Sequence, residues 1–220
     1  MTASHSGTRF AVYFVPPAEH PFYQVGSRLL GRDLRANQLV SLPDFLRPEW
    51  QASAAPYGLH LTVVEGFFTD AEALPAIEAE ARACRACLSP GADLMLRGGH
   101  LDVWDDGAVW VQRYTPTPAF SVLHTLLLAR LAPFVTASPF AVRSRPAFEE
   151  ARMRLLHTPR GLDTFEPHFT LIEPYGGGDP AGLRQHLQPL LAPFETLEVG
   201  TLALCIKPAG ETNWQIQAEF

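Results

Sequence analysis

Two copies of a short motif, His-x-Thr, contain the residue types in this chain that are best suited to chemistry. The first copy is His60-x-Thr62 and the second is His168-x-Thr170, each with an apolar residue in the middle. Because side chains alternate across a strand, each histidine shares a face with its threonine, and the apolar neighbours take the opposite face. If the two strands pack together, both polar faces meet in one cleft.

Two imidazoles and two hydroxyls in one cleft can process a phosphodiester. A neutral imidazole can take a proton from water or a ribose hydroxyl, and a protonated imidazole can give one to the leaving oxygen, because a pKa near 6.5 populates both forms. The threonine hydroxyls can donate hydrogen bonds to the non-bridging phosphoryl oxygens. This chemistry needs no metal and no cofactor, and none is expected. The residues leave open which histidine is the acid and which the base.

The elements predicted around the motifs alternate between strands and helices, which predicts an α+β protein. Segment 32–56, which contains prolines, is predicted to be an irregular surface loop, and whether it closes over the cleft is left open. A weak helix is predicted over 148–156. The predicted strands cover 9–16, 59–68, 93–104, 108–114, 169–172, 198–206 and 213–219, and the predicted helices cover 21–31, 71–88, 120–131 and 180–191.

Composition limits the partners and the compartment. The chain has 220 residues, 47% of them hydrophobic, which is enough for one core or for two small lobes that share one. Its net charge is −6, from 17 Lys and Arg against 23 Asp and Glu, so binding to a long nucleic acid or an anionic membrane is not expected. The sequence contains no apolar run of about 18–20 residues, so neither a signal peptide nor a transmembrane helix is expected, and a cytoplasmic location is expected by default. The three cysteines are expected to be reduced thiols, and the protein is expected to be a monomer.

The paired motifs resemble those of the two-histidine (2H) phosphoesterase superfamily. That superfamily includes cyclic phosphodiesterases, RNA 2′,3′-cyclic phosphodiesterases related to RNA ligases, and 2′,5′-oligonucleotide phosphodiesterases. Segments 9–17, 30–33 and 57–62 are similar to a subgroup encoded with phosphonate-metabolism genes, and segment 165–171 is similar to the second motif of the cyclic nucleotide phosphodiesterase branch. The subgroup usually has a lysine two positions after the first threonine, whereas this chain has Val64 there, followed by Glu65.

The resemblance implies a bilobal, pseudo-symmetric α+β fold, with an antiparallel sheet and helices in each lobe and a metal-independent cleft between them. Residues 1–220 would form one domain of two intertwined lobes, whose His-x-Thr strands cover 58–67 and 167–174. His60 and His168 would be the catalytic acid–base pair, and Thr62 and Thr170 would hold the phosphate. The implied substrate is a small nucleotide or an RNA end with a cyclic phosphate.

Further candidate substrate contacts lie close to the motifs. Tyr57 and Tyr175 flank them and carry polar tips, and Arg143 belongs to the basic segment 142–160, which a solvated loop also explains. Cys84 and Cys87 favour a structural role, because no second pair completes a zinc site. The other histidines, among them His100 and His124, have no comparable motif and are expected to be surface or partly packed residues.

Two alternatives remain open at the level of function. The chain can be a module that binds a nucleotide or a phosphorylated metabolite without turnover, or it can have a 2′,5′-phosphodiesterase or ligase-like activity at the same site.

Overall fold

The computed structural model describes residues 7–89, 91–140 and 146–220, and the predicted contact Arg143 lies outside them. The strands of the described part are β1 (Thr8–Phe14), β2 (Arg32–Asp33), β3 (Gln38–Leu39), β4 (Leu61–Thr69), β5 (Met95–Trp104), β6 (Val109–Pro116), β7 (His168–Ile172), β8 (Leu197–Glu198), β9 (Ala203–Lys207) and β10 (Gln215–Glu219). Its α-helices are α1 (Pro21–Leu30), α2 (Leu74–Ala86), α3 (Pro118–Leu131), α4 (Ala147–Leu156) and α5 (Pro180–Leu191).

Eight strands form one antiparallel sheet in the order β10-β9-β1-β4-β7-β6-β5-β8. The predicted α+β class is confirmed. The sheet is continuous, since four strands from each half join edge to edge where Leu61 of β4 pairs with Phe169 of β7. The two strands with the His-x-Thr motifs are therefore neighbours at the centre of the sheet.

The apolar face of these central strands lies against a helix. Phe22 of α1 packs edge-on against Phe169, with ring centroids 4.8 Å apart. A Cβ atom at Gly26 of the same helix would lie 2.4 Å from the Leu59 side chain, so only glycine allows this close approach. The burial of this face directs the motif side chains to the opposite, open face.

Two predicted segments differ from the structure. Segment 32–56 contains the small β2–β3 hairpin and a 3-10 turn over Pro48–Gln51, in which Gln51 is buried rather than part of an exposed loop. The single strand predicted over 198–206 is two strands, because β8 pairs with β5 at one edge of the sheet and β9 pairs with β1 in the other half. In the described part, no helix combines the length and the apolar character needed to cross a membrane.

Candidate active site

The two motifs face each other across the β4–β7 seam. From the Leu61–Phe169 pair, the antiparallel register places His60 opposite Thr170 and Thr62 opposite His168. A local two-fold relation thus superimposes each histidine on the other and each threonine on the other. The predicted clustering of four polar side chains on one face agrees with this register.

The two imidazoles make the same backbone contact. His60 Nδ1 lies 2.9 Å from the Gly58 carbonyl oxygen, and His168 Nδ1 lies 2.7 Å from the Glu166 carbonyl oxygen. A carbonyl oxygen can only accept, so Nδ1 carries a proton in both rings. When the ring is neutral, Nε2 is therefore the unprotonated nitrogen, available to accept a proton.

His60 lies in an aromatic environment. Its ring centroid is 4.1 Å from that of Tyr13 and 5.6 Å from that of Tyr57, which stacks on it and also on Trp214. Burial among these rings, with a smaller contribution from the nearby His168, lowers the pKa of His60 to about 4 against the opposing effect of the Gly58 carbonyl. His60 is therefore neutral near pH 7.

His168 lies among charged groups. Trp104 packs against its ring at 4.5 Å, and the neighbouring Glu166 carboxylate forms a 2.7 Å ion pair with Arg113. Burial is the main cause that lowers the pKa of His168, and Arg160 and Arg113 add to it, whereas the Glu166 carbonyl and carboxylate oppose it. Two of these charged side chains, Glu166 and Arg160, line the same cavity as His168.

Two cavities meet at the motifs. The larger, of about 750 Å³, is lined by Thr62, His168 and Thr170, and the smaller, of about 210 Å³, is lined by Tyr57, His60 and Thr170. They share Thr170 and Glu173 as a common wall. Among the described residues, neither threonine hydroxyl makes a hydrogen bond, so both are free to donate to a ligand.

The residues predicted to contact the substrate lie in different places in the structure. Tyr57 lines the smaller cavity and stacks on His60 there. Tyr175 is not at either cavity, because the chain turns after β7 and its ring packs edge-on against Trp50 and Trp110. Arg160, from the same basic segment as Arg143, lines the larger cavity.

Two glutamates that sequence reasoning missed also face the cleft. Glu65 lines the larger cavity and Glu173 lines both. In β4 the pairing with β1 shifts by one residue between Thr62 and Val64, and in β7 the pairing with β6 shifts by one residue between Thr170 and Ile172. Each shift is a β-bulge, which turns the third residue after the threonine to the threonine's face.

Buried polar side chains bind both bulges. His124 Nδ1 donates to the Val63 carbonyl at 2.7 Å, and Gln51 Nε2 donates to the Leu171 carbonyl at 3.1 Å. His124 Nε2 also accepts from the Leu162 backbone N–H at 3.1 Å. Burial lowers the pKa of His124 to about 4, so it is a neutral structural residue with both nitrogens in use.

A signal for these glutamates is present in the sequence. Strict alternation would place Val64 and Ile172 in the cleft, but both strands have two consecutive apolar residues after the threonine, and then an acid. The four residues Val63, Val64, Leu171 and Ile172 are all buried, which is consistent with a break in alternation.

Metal-binding and redox candidates are separate from this site. Among residues 7–89, 91–140 and 146–220, no group of three or more His, Cys, Asp or Glu side chains is arranged to hold a metal ion. Cys84 is buried in α2, Cys87 follows at its end and is exposed, and both are free thiols.

Comparisons with known proteins give limited matches. No family model matches the chain. A segment of 58 residues is 43% identical to part of the ribose 1,5-bisphosphate phosphokinase PhnN of Laribacter hongkongensis, which is 25% of this chain and 14% of that protein.

Solved structures resemble the chain over nearly its whole length. A structure described as a phosphoesterase aligns over 97% of both chains with a TM-score of 0.48 and 16% identity. Apo LigT of E. coli aligns over 97% of this chain and 96% of its own, with a TM-score of 0.45 and 15% identity. Usb1 of Kluyveromyces marxianus with uridine monophosphate aligns over 94% and 96%, with a TM-score of 0.39 and 11% identity. "Phosphoesterase" is also the class that the paired motifs resemble, but at these TM-scores the likenesses do not assign an activity.

Proposed function

We propose that this chain is a two-histidine phosphodiesterase that opens a 2′,3′-cyclic phosphate, or a related ribose cyclic phosphate, on a nucleotide or a short RNA end. The observation that carries the proposal is the quartet at the β4–β7 seam. It combines two Nδ1-anchored imidazoles, whose Nε2 atoms can exchange protons, with two unengaged hydroxyls beside one cleft.

The surroundings of the two histidines support different roles. His60 is neutral down to about pH 4, because it is buried among aromatic rings, so it suits the general base. Burial lowers the pKa of His168 as well, but the Glu166 carbonyl and carboxylate oppose this lowering, so of the two histidines it is the better suited to be the general acid. A bound phosphate anion close to both rings raises the pKa of each, and this favours the protonated acid in the complex.

Hydrolysis then proceeds by a single exchange at phosphorus. A water oxygen forms a bond to phosphorus while His60 Nε2 takes a proton from that water. The bond from phosphorus to one ribose oxygen breaks, and His168 Nε2 gives its proton to that oxygen. The products are a phosphomonoester and a free ribose hydroxyl, and the two imidazoles return to their starting states by proton exchange with solvent.

The threonines and one arginine complete the proposed site. Thr62 and Thr170 donate to the non-bridging oxygens, where negative charge increases in the transition state. Arg160 lines the same cavity and adds one cation close to the phosphate. A site of this size binds a single phosphodiester without a basic surface, which is compatible with a net charge of −6.

The test is turnover of 2′,3′-cyclic nucleotides by His60→Ala and His168→Ala in the presence of EDTA. Each change is expected to lower kcat/KM by about 10²–10⁴-fold, and EDTA is expected to have no effect. His100→Ala is a matched control, since exposed His100 makes the same Nδ1 contact with the carbonyl two residues before it, Gly98, but does not line the cleft. Activity that survives either motif change, or that disappears with EDTA, contradicts the mechanism.

A second candidate is a module that binds a nucleotide or a phosphorylated metabolite without turnover. The observation that favours it is the lowered pKa of both motif histidines, which leaves the free protein short of an imidazolium acid at neutral pH. In that case the cyclic nucleotides bind saturably and remain intact, and both alanine variants weaken the affinity. Product analysis with cyclic nucleotides, 2′,5′-oligoadenylates and RNA with cyclic ends separates these outcomes from a 2′,5′-phosphodiesterase or ligase-like activity.

A further inference from the structure

The duplicated motif is longer than His-x-Thr. The first copy continues to Glu65 and the second to Glu173, so both have the pattern His-x-Thr-x-x-Glu. Both glutamates lie at the wall of the proposed active cleft, three residues after a threonine that faces it.

The backbone is built to turn both glutamates inward. Each strand has a one-residue register shift directly after the threonine, and β4 has a second shift between Val64 and Phe67. The bulge after each threonine has a carbonyl bound by a buried side chain, His124 or Gln51. Next to Glu65, the Gly66 carbonyl accepts two hydrogen bonds from the Arg9 guanidinium. A Cβ atom at Gly66 would lie 2.6 Å from the Trp214 ring, so this backbone path requires glycine.

Neither carboxylate has a partner that accounts for its place in the cleft. In the described part of the chain, no hydrogen bond or ion pair reaches the carboxylate of Glu65 or of Glu173. The positive charges of Arg160 and Arg9 act on Glu65, and the negative charge of Asp105 acts on Glu173. Burial raises the pKa of both carboxyl groups, as expected for acids that lose water without gaining a donor.

Carboxylates beside a phosphodiester favour some substrate groups and disfavour others. An ionised carboxylate only accepts hydrogen bonds, so it binds hydroxyl or amino groups and repels a further phosphate. The local two-fold relation of the motifs relates the two glutamates as well, so they flank the reacting phosphate from both strands.

We propose that Glu65 and Glu173 determine substrate specificity, by accepting hydrogen bonds from neutral hydroxyl or amino groups of the substrate and by excluding substrates with a second phosphate next to the cyclic one. This inference rests on the proposed function and specifies its substrate class as a cyclic phosphate on a sugar whose neighbouring groups are uncharged.

The experiment compares two substrates that differ in one group: a 2′,3′-cyclic nucleotide with a 5′-hydroxyl, and the same nucleotide with a 5′-phosphate. The wild type is expected to favour the 5′-hydroxyl substrate by about tenfold or more in kcat/KM. Glu65→Gln and Glu173→Gln each lower this ratio, and the double variant brings it close to one. Glutamine keeps the shape of the side chain, so the fold is expected to be retained, which circular dichroism and thermal unfolding check.

A charge-matched control separates local from overall electrostatics. Glu72→Gln also removes one negative charge, but Glu72 is exposed on the turn before α2, and its variant is expected to keep the wild-type ratio. A folded double variant that keeps the wild-type ratio, or a wild type that favours the 5′-phosphate, overturns the inference.

Failure of the proposed function gives a different result from failure of this inference. If the wild type turns over neither substrate, the phosphodiesterase proposal fails, and the specificity proposal is then tested by calorimetric binding of a 3′-nucleotide and of the matching 3′,5′-bisphosphate. Tighter binding of the 3′-nucleotide, lost in the double variant, supports the role of the glutamates. Equal affinities overturn it.

Discussion

The two halves of the site have the same motif and the same backbone contact, but they differ in what surrounds each imidazole. His60 is enclosed by Tyr13 and Tyr57, so burial controls its pKa. His168 has the Glu166–Arg113 ion pair and Arg160 around it, so charges adjust its pKa as well. A duplicated motif can therefore provide two different roles when the residues that surround its two copies are not duplicated.

Loss of either histidine is expected to have the largest effect on activity. Substrates with different leaving groups then distinguish the general acid from the general base. His168→Ala is expected to lose about 10²–10⁴-fold in kcat/KM on a cyclic nucleotide, but far less on a p-nitrophenyl phosphodiester, because nitrophenolate leaves without a proton. His60→Ala is expected to lose activity on both, since water still needs a base. Initial rates with the two substrates measure this, and the reverse pattern would exchange the two roles.

The threonines should behave alike, in contrast to the histidines. Thr62→Val and Thr170→Val keep the side-chain shape and remove one donor each, so each is expected to lower kcat/KM by about 10²-fold. Losses that agree within a few-fold would show that the two threonines, unlike the two histidines, have equivalent roles. A loss at only one threonine would show that the phosphate binds to one half of the site.

The buried side chains that bind the two bulges, His124 and Gln51, allow the two halves to be compared by their effect on stability. His124→Phe leaves the Val63 carbonyl and the Leu162 N–H without partners, whereas Gln51→Met leaves only the Leu171 carbonyl. Each unpaired buried group costs about 1–3 kcal/mol, so His124→Phe is expected to lower the free energy of unfolding more. Urea unfolding measures both variants, and exposed Gln24 in α1 supplies the control Gln24→Met. A greater cost at Gln51 contradicts this ranking.

The change per measured step is smallest for the pH dependence of stability, because it is spread over more than two pH units. The pKa of buried His124 is about 4 in the folded protein and near 6.5 in the unfolded chain, so the unfolded chain binds more protons between these values. The free energy of unfolding therefore falls as pH decreases from 6.5 to 4, with a slope of up to roughly 1.4 kcal/mol per pH unit from this residue. His124→Phe removes this part of the slope, and His60 retains its own part. Urea unfolding at several pH values measures it, and an unchanged slope contradicts the assignment.

The sequence is sufficient to predict the elements that carry the motifs, because alternation and helix periodicity are local properties. The helix over 180–191 agrees with α5, and the strand over 169–172 agrees with β7 except for its first residue. Strict alternation, however, does not place Glu65 and Glu173 on the cleft face. A bulge depends on side chains distant in sequence, and Leu171 meets Gln51 only in the folded chain. The position of Tyr175 away from the two cavities could not be predicted for a similar reason, since it is set by contacts with Trp50 and Trp110.

The strand order has a consequence for synthesis of the chain. The four strands on the His168 side, β5 to β8, are consecutive and end at Glu198. The His60 side also needs β9 and β10, and Trp214, which stacks on Tyr57, comes just before β10. On the ribosome, the half of the sheet around the second motif therefore has all its strands first. The half around the first motif begins with β1 but is completed only after β10 has been translated.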